Sequence, residues 1–333
     1  MLGLIECVVL ALGCRNGAES TIREAGFLGM PPVSATAVLF APGIISTGAH
    51  ELDFTMTPDG LEVFFTRAGP DWTSTILTLR RDGNGWSGPA IASFTGGHEA
   101  IYPFVAPDGK RVYFEYSSVI AEFGQETENS NLYVSERVGD DWSPGHPLGR
   151  TINTEGTEMF AGAASNGNLY FSANYQSSLG GFDVFRSMLT EEGYEQPRNL
   201  GAAVNSKANE FHAFIASDES FILFDSDRPG GFGGNDLFIS FRDDTGGWSP
   251  AVNLGNRVNT QASESRPFVS PDGRYLFFSS NRTVSPTNGA RRFSSFEEFT
   301  NRIDGPGNGN QDIYWMDAGI IKALRTSMGL APD

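Results

Sequence analysis

The chain has 333 residues, with 23 Lys and Arg against 40 Asp and Glu, a formal charge of −17 at pH 7. That balance argues against a nucleic-acid partner, because phosphate contacts need clustered Lys and Arg and the densest basic spot, Arg291-Arg292, is only a pair. A hydrophobic content of 39% with 12% aromatic residues excludes a disordered chain, and 40 Gly with 18 Pro make it rich in turns.

Both cysteines, Cys7 and Cys14, fall at the N-terminus, so the body of the chain has no disulfide framework. Residues 4–12 form an apolar run interrupted by Glu6. It is too short to span a bilayer and reads as the end of a secretory leader over 1–14. Ala11-Leu12-Gly13-Cys14 is similar to a bacterial lipoprotein box, in which Cys14 is lipidated; Ala11 stands where Leu is usual, and no Lys or Arg precedes it. The expectation is a periplasmic or outer-membrane lipoprotein of the cell envelope, with plain secretion and a cytosolic tail as alternatives. Residues 15–35 read as a linker.

From residue 36 a repeat sets in. Turns of Pro-Asp-Gly type recur at Pro58-Asp59-Gly60, Pro107-Asp108-Gly109, Ser165-Asn166-Gly167, Ser217-Asp218-Glu219 and Pro271-Asp272-Gly273, spaced 49, 58, 52 and 54 residues apart. An apolar run precedes each turn (strand A), and an aromatic or β-branched run follows it (strand B), such as Val63-Phe64-Phe65 or Leu276-Phe277-Phe278, which is a hairpin signature. A third run follows a loop rich in Gly, Asn and Ser (strand C: Ile76-Leu77-Thr78, Leu132-Tyr133-Val134, Val184-Phe185-Arg186, Leu237-Phe238-Ile239, Ile313-Tyr314-Trp315). In four repeats a turn ending in an aromatic residue then leads to strand D. The fifth lacks D and runs into a short helix within 318–333. Residues 38–44, with Gly43 where the other D segments carry Gly, supply the missing strand. The sequence therefore predicts an all-β, five-bladed propeller of four-stranded antiparallel blades over 36–317, closed by an N-terminal strand and followed by a short C-terminal helix.

The stretch Ser270-Pro271-Asp272-Gly273-Arg274-Tyr275-Leu276-Phe277-Phe278-Ser279-Ser280-Asn281-Arg282 resembles the Pro-Asp-Gly repeats of the TolB-like, WD-like propeller family. The resemblance covers nearly all of 36–317 and implies a bacterial, envelope-associated propeller. It leaves the role open among scaffold, binding module and enzyme domain.

Two sets of residues emerge from aligning the turns. Glu51, Glu99, Glu158, Glu210 and Glu264 stand at the entry to strand A and are expected as a ring at the channel mouth, joined to Arg67, Arg228 and Arg282 and to the strand C acids Asp183, Asp236 and Asp312 in a network that staples the blades. His50-Glu51 and His98-Glu99 look repeat-equivalent. The second set, Asp53, Tyr102, Phe160, His212 and Arg266, lies five residues before each turn; alternation places it on the same face as the acids, and it differs from blade to blade. Asp53, Tyr102, His212 and Arg266 are the candidate ligand-binding residues, with His as acid or base and Arg as a carboxylate clamp. No metal or cofactor is assigned. Ca²⁺ is the one candidate for the acid ring or for Asp225, Asp227, Asn235 and Asp236, although neither spacing matches a calcium loop. Long B–C connections at 117–130 and 283–310 mark one face for binding, the second carrying Phe293, Phe296 and Phe299 at helical spacing as a partner-contacting lid or a local core. No hydrolase elbow, zinc helix or phosphate loop occurs. The expectation is a monomeric, non-catalytic propeller that binds an envelope protein or glycan at the channel face, and membrane contact is expected only through Cys14. The alternative is a polysaccharide-acting enzyme using Asp53, His212 and Glu210.

Overall fold

The computed structural model describes residues 33–83, 85–116, 131–154, 156–284 and 293–330; the leader, Cys14, the 117–130 loop and Arg291-Arg292 lie outside the described residues. Strand β1 (Val38–Leu39) comes first. Four blades follow in chain order. Blade one is β2 (His50–Met56), β3 (Glu62–Ala68), β4 (Ser74–Asp82) and β5 (Ala90–Ile91). Blade two is β6 (Ala100–Val105), β7 (Arg111–Tyr116), β8 (Leu132–Val138) and β9 (His146–Pro147). Blade three is β10 (Glu158–Ala163), β11 (Leu169–Ala173), β12 (Asp183–Ser187) and β13 (Arg198–Asn199). Blade four is β14 (Glu210–Ile215), β15 (Phe221–Ser226), β16 (Asp236–Phe241) and β17 (Val252–Asn253). Blade five is β18 (Glu264–Val269), β19 (Tyr275–Ser280) and β20 (Asp312–Asp317), and β1 completes it by pairing antiparallel with β20, Val38 opposite Trp315 and Leu39 opposite Tyr314.

Each strand A packs against the strand A of the next blade, and β18 packs back onto β2, so the ring closes; β1 covers the outer side of β20 as strand D covers strand C in the other blades. The aromatic runs of strand B make the core between blades: Phe64, Phe65, Tyr113, Phe114, Tyr170, Phe171, Phe224, Phe277 and Phe278 are all buried. Burial of each such ring contributes about 1.5–3 kcal/mol. Phe64, Phe94, Phe114 and Trp142 lock blade one to blade two. At the closure Phe40 meets Phe54, Phe277 and Trp315 at 5.0–5.2 Å between ring centroids.

The hairpin turns explain the recurring glycine. Gly60, Gly109, Gly167 and Gly273 all sit at positive φ, where a side chain is strained. Blade four puts Glu219 there instead, at φ 60°. Its carboxylate accepts from Asn168 Nδ2, Tyr170 OH and Arg242 Nη1 (2.9, 2.6 and 2.7 Å), so the departure from the motif forms a joint between blades three and four. In the closing strand it is Ala41, at φ 44°, rather than Gly43, that takes the turn made by Gly201 and Gly255.

Two helices lie outside the sheets. Helix α1 (Phe296–Asp304), inside the B–C connection of blade five, is capped by Ser295 Oγ and buries none of its residues; Phe293, Phe296 and Phe299 touch one another while staying exposed. Helix α2 (Gly319–Ser327) follows β20. Among the described residues no helix is long and apolar enough to cross a membrane.

Candidate functional site

The second set of sequence candidates converges at the centre of the ring, for a reason that alternation does not foresee. In every blade the A–B register slips between two residues, as between Leu52 and Thr55 or Phe211 and Phe214. Each slip is a β-bulge, and the residue inside it takes a left-handed backbone: Asp53 (φ 58°), Tyr102 (59°), Phe160 (61°), His212 (46°) and Arg266 (57°). The bulge turns these five side chains off the face of the Glu two residues earlier and into the channel, where they line one cavity of about 50 Å³. Phe54, Phe104, Phe214 and Phe268 line the same cavity and pack on one another, so the centre is a small pocket in which a few polar groups stand among aromatic rings.

Behind the bulges stands a second ring that the sequence reading missed. It consists of the first polar residue after each strand B aromatic run: Thr66, Glu115, Ser172, Asp225 and Ser279, all buried. Three of them accept the bulge N–H of the next blade: Tyr102 N donates to Thr66 Oγ1 (3.2 Å), Phe160 N to Glu115 Oε1 (2.8 Å) and Arg266 N to Asp225 Oδ1 (3.2 Å).

The electrostatics follow from this burial. Arg266 pairs with Asp53 (Nε to Oδ1, 2.9 Å), the two side chains being 14% and 6% exposed. Burial nevertheless pushes Asp53 up to about 6, outweighing the Arg266 charge. His212 Nδ1 lies 2.7 Å from Asp225 Oδ1, and Asn235 Nδ2 donates to Asp225 Oδ2 at 2.7 Å. Burial, aided by Arg266, lowers His212 to about 4 against the pull of Asp225, so the ring is neutral near pH 7. A neutral ring beside a carboxylate holds its proton on Nδ1, which leaves an acceptor lone pair on Nε2. Burial drives Glu115 well above the usual carboxylate range. Asp53 Oδ2, His212 Nε2 and Glu115 Oε2 are buried and have no hydrogen-bond partner.

The predicted acid ring has a different character. Glu51, Glu158, Glu210 and Glu264 are fully buried between blades, away from the cavity lining. The hydroxyls of Thr47, Thr154, Ser206 and Thr260 donate to them. Arg67, Arg228 and Arg282 pair with three of the four at 2.9–3.0 Å. Glu99 does not belong to this ring: Ala100 stands opposite Tyr116 as Glu51 stands opposite Arg67, and Glu99 is exposed in the preceding loop. His98 is therefore not the counterpart of His50. Glu210, the expected catalytic acid, is held by Ser206, Ser226 and Arg228 and does not reach the pocket. The Asp225, Asp227, Asn235 and Asp236 cluster splits: Asp227 accepts from Asn209, while Asp236 accepts from Phe232 N, Gly233 N and Asn253. Among the described residues no group of three or more His, Cys, Asp or Glu converges as a metal site.

No family model matches the chain, and no curated protein matches it. Solved structures do resemble it at low identity. TolB from Acinetobacter baumannii is 14% identical over 80% of this chain and 54% of that one, with a TM-score of 0.44. An α-L-arabinofuranosidase from Lactobacillus brevis is 12% identical over 83% of this chain and 92% of the other (TM-score 0.48). A family 117 glycoside hydrolase from Zobellia galactanivorans is 14% identical over 86% and 88% (TM-score 0.40).

Proposed function

We propose that the chain is an exported, non-catalytic binding propeller of the cell envelope whose ligand inserts a polar group into the central pocket, where Asp53, Tyr102, His212 and Arg266 grip it. One observation supports this most directly: buried acceptors without partners, Asp53 Oδ2 and His212 Nε2, belong to residues that line the same cavity. An unmet buried polar atom costs about 1–3 kcal/mol, which a hydrogen-bonding ligand recovers on entry. Among the lining residues Arg266 offsets Asp53 and His212 is neutral, so the favoured group is uncharged and donates to Asp53 Oδ2 and His212 Nε2.

Hydrolysis of a polysaccharide is the weaker reading. A carboxyl near 6 is suited to proton transfer, yet glycoside cleavage takes two carboxylates across the scissile bond, and Asp53 is the one acid among the residues lining the cavity. The test is calorimetric titration and thermal unfolding of wild type, Asp53→Asn and His212→Ala against sugars, amino acids and small organic acids. A ligand at 100 times its dissociation constant adds about 2.7 kcal/mol, visible as a shift of several degrees. Loss of that shift in both variants is expected; a ligand that binds both variants as it binds wild type refutes the site.

A further inference from the structure

We infer that the ligand is a neutral oligosaccharide, and that Trp72 at the channel rim is the platform on which its second sugar ring stacks; this rests on the channel reading above. The pocket itself sets the problem. A cavity of about 50 Å³ takes a hydroxymethyl group or one edge of a sugar ring, so most of any larger ligand lies outside it, on the face formed by the B–C connections.

That face carries an indole stacked on the strand that holds Asp53. Trp72 closes the B–C turn of blade one, its N–H donating to Gly69 O at 3.0 Å, and it is 56% exposed. The indole stacks on His50, with ring centroids 4.5 Å apart and planes 21° from parallel. His50 is fixed in turn, since its Nδ1 accepts from Gln311 N at 3.2 Å. Burial and the nearby Arg266 charge both lower the His50 pKa, so the supporting ring is neutral. One face of the indole is thus backed by imidazole, which leaves the other for a ligand.

The platform and the pocket share a strand. His50 precedes Asp53 by three residues on β2, about 10 Å at the usual rise, and Arg266, which holds Asp53, is close enough to act on His50. The same rim is braced from blade five: Asn308 Nδ2 and Asn310 Nδ2 donate to Gly48 O (3.2 and 2.8 Å), and the end of α1 sits so close that a Cβ on Gly48 would lie 1.9 Å from Asp304 O. An aromatic face stacked on the strand that also carries Asp53 suits a ligand with an apolar C–H face on one unit and hydroxyl donors on the next. A pyranose or furanose chain has that alternation, and the one Lys or Arg among the residues lining the pocket, Arg266, is already paired with Asp53.

The experiment titrates full-length protein, wild type and variants, with cello-, xylo-, arabino- and malto-oligosaccharides of one to six residues, by calorimetry and tryptophan fluorescence. For at least one series, affinity should rise from the mono- to the disaccharide. Trp72→Ala should erase that gain, about tenfold or more, while leaving the monosaccharide affinity and the melting temperature unchanged; Trp72→Phe should keep part of the gain. Asp53→Asn should weaken mono- and disaccharide alike. Equal binding by Trp72→Ala at every length overturns the platform and leaves the pocket standing. A non-sugar ligand that depends on Asp53, with no sugar bound, overturns the ligand class alone. If no compound of any class shows binding that depends on Asp53 and His212, the channel reading fails together with the inference.

Discussion

Replacing Asp312 by asparagine should stabilise the propeller above neutral pH and change little at pH 4. Strand C opens with an acid in blades three, four and five, and the first two are fully supplied with donors. Asp183 accepts from Leu179 N, Gly180 N and Asn199 Nδ2 at 2.7, 3.2 and 2.6 Å, and Asp236 from Phe232 N, Gly233 N and Asn253 Nδ2 at 2.7, 3.2 and 2.7 Å. In blade five the fourth strand comes from the other end of the described chain. Leu39 pairs with Tyr314 where Asn199 pairs with Phe185 and Asn253 with Phe238, so no amide is available. Asp312 keeps Gly307 N on Oδ2 at 2.8 Å, and Oδ1 is buried without a partner. Burial, with the Glu51 charge adding to it, pushes this carboxyl from 3.8 up to about 7. The folded protein therefore retains a proton that the unfolded chain releases, and stability falls as pH rises between those two values. Above pH 7 the penalty is constant. At 1.36 kcal/mol per unit it is at most about 4 kcal/mol. Asparagine cannot ionise and escapes it. Urea unfolding of wild type and Asp312→Asn at pH 4 and pH 8 measures the difference directly, and Leu39→Asn, which supplies the missing donor, should reproduce part of the gain at pH 8. A variant destabilised equally at both pH values would show that Oδ1 is satisfied and refute the reasoning.

Other consequences follow from the same geometry. Asp225→Ala strips the partner from His212 Nδ1, Asn235 Nδ2 and Arg266 N, and should cost about 3 kcal/mol or more in denaturant unfolding. Ligand affinity carried by the Asp53 carboxylate should fall as pH drops through about 6, where the group takes up a proton, and calorimetry on Asp53→Asn should show a flat profile over the same range. Arg228→Ala leaves Glu210 buried with only hydroxyl and amide donors, so chemical unfolding should show a loss of about 2–3 kcal/mol while ligand affinity is unchanged.

The propeller was legible because its signals are local. A Pro-Asp-Gly turn between an apolar and an aromatic run specifies a hairpin without reference to the rest of the chain, and three of them, with two related turns at the same spacing and one displaced D segment, specify the ring. The pocket was half legible: its five residues stand out as the one inward column that varies between blades. Their orientation was not, since alternation assumes one residue per pleat and the bulge inserts an extra one at that place. Glu99 is out of line for a simpler reason. It stands eight residues before its turn, where Glu51, Glu158, Glu210 and Glu264 stand seven before theirs, and the seventh place in blade two is Ala100, opposite Tyr116. Sequence proximity groups Asp225 with Asp227, Asn235 and Asp236 as a candidate oxygen cluster; the signal that identifies its place is its position after Leu223-Phe224, shared with Thr66, Glu115, Ser172 and Ser279.

Left-handed backbone at residues other than glycine costs about 1–2 kcal/mol each, and the described residues carry eight: Ala41, Asp53, Trp72, Tyr102, Phe160, His212, Glu219 and Arg266. Glycine would remove that cost at every one of them, so each side chain needs a compensating contact. Five of the eight close the channel, their bulges pointing polar and aromatic groups at one cavity. Glu219 joins two blades through three hydrogen bonds, and Ala41 is buried at the ring's closure. Trp72 is the exception: its indole is more than half exposed and stacks on His50. That contact alone is a small return on the strain for so large an apolar ring, whereas a sugar laid against the free face would bury the indole and give the turn's conformation the same justification that the other seven already have.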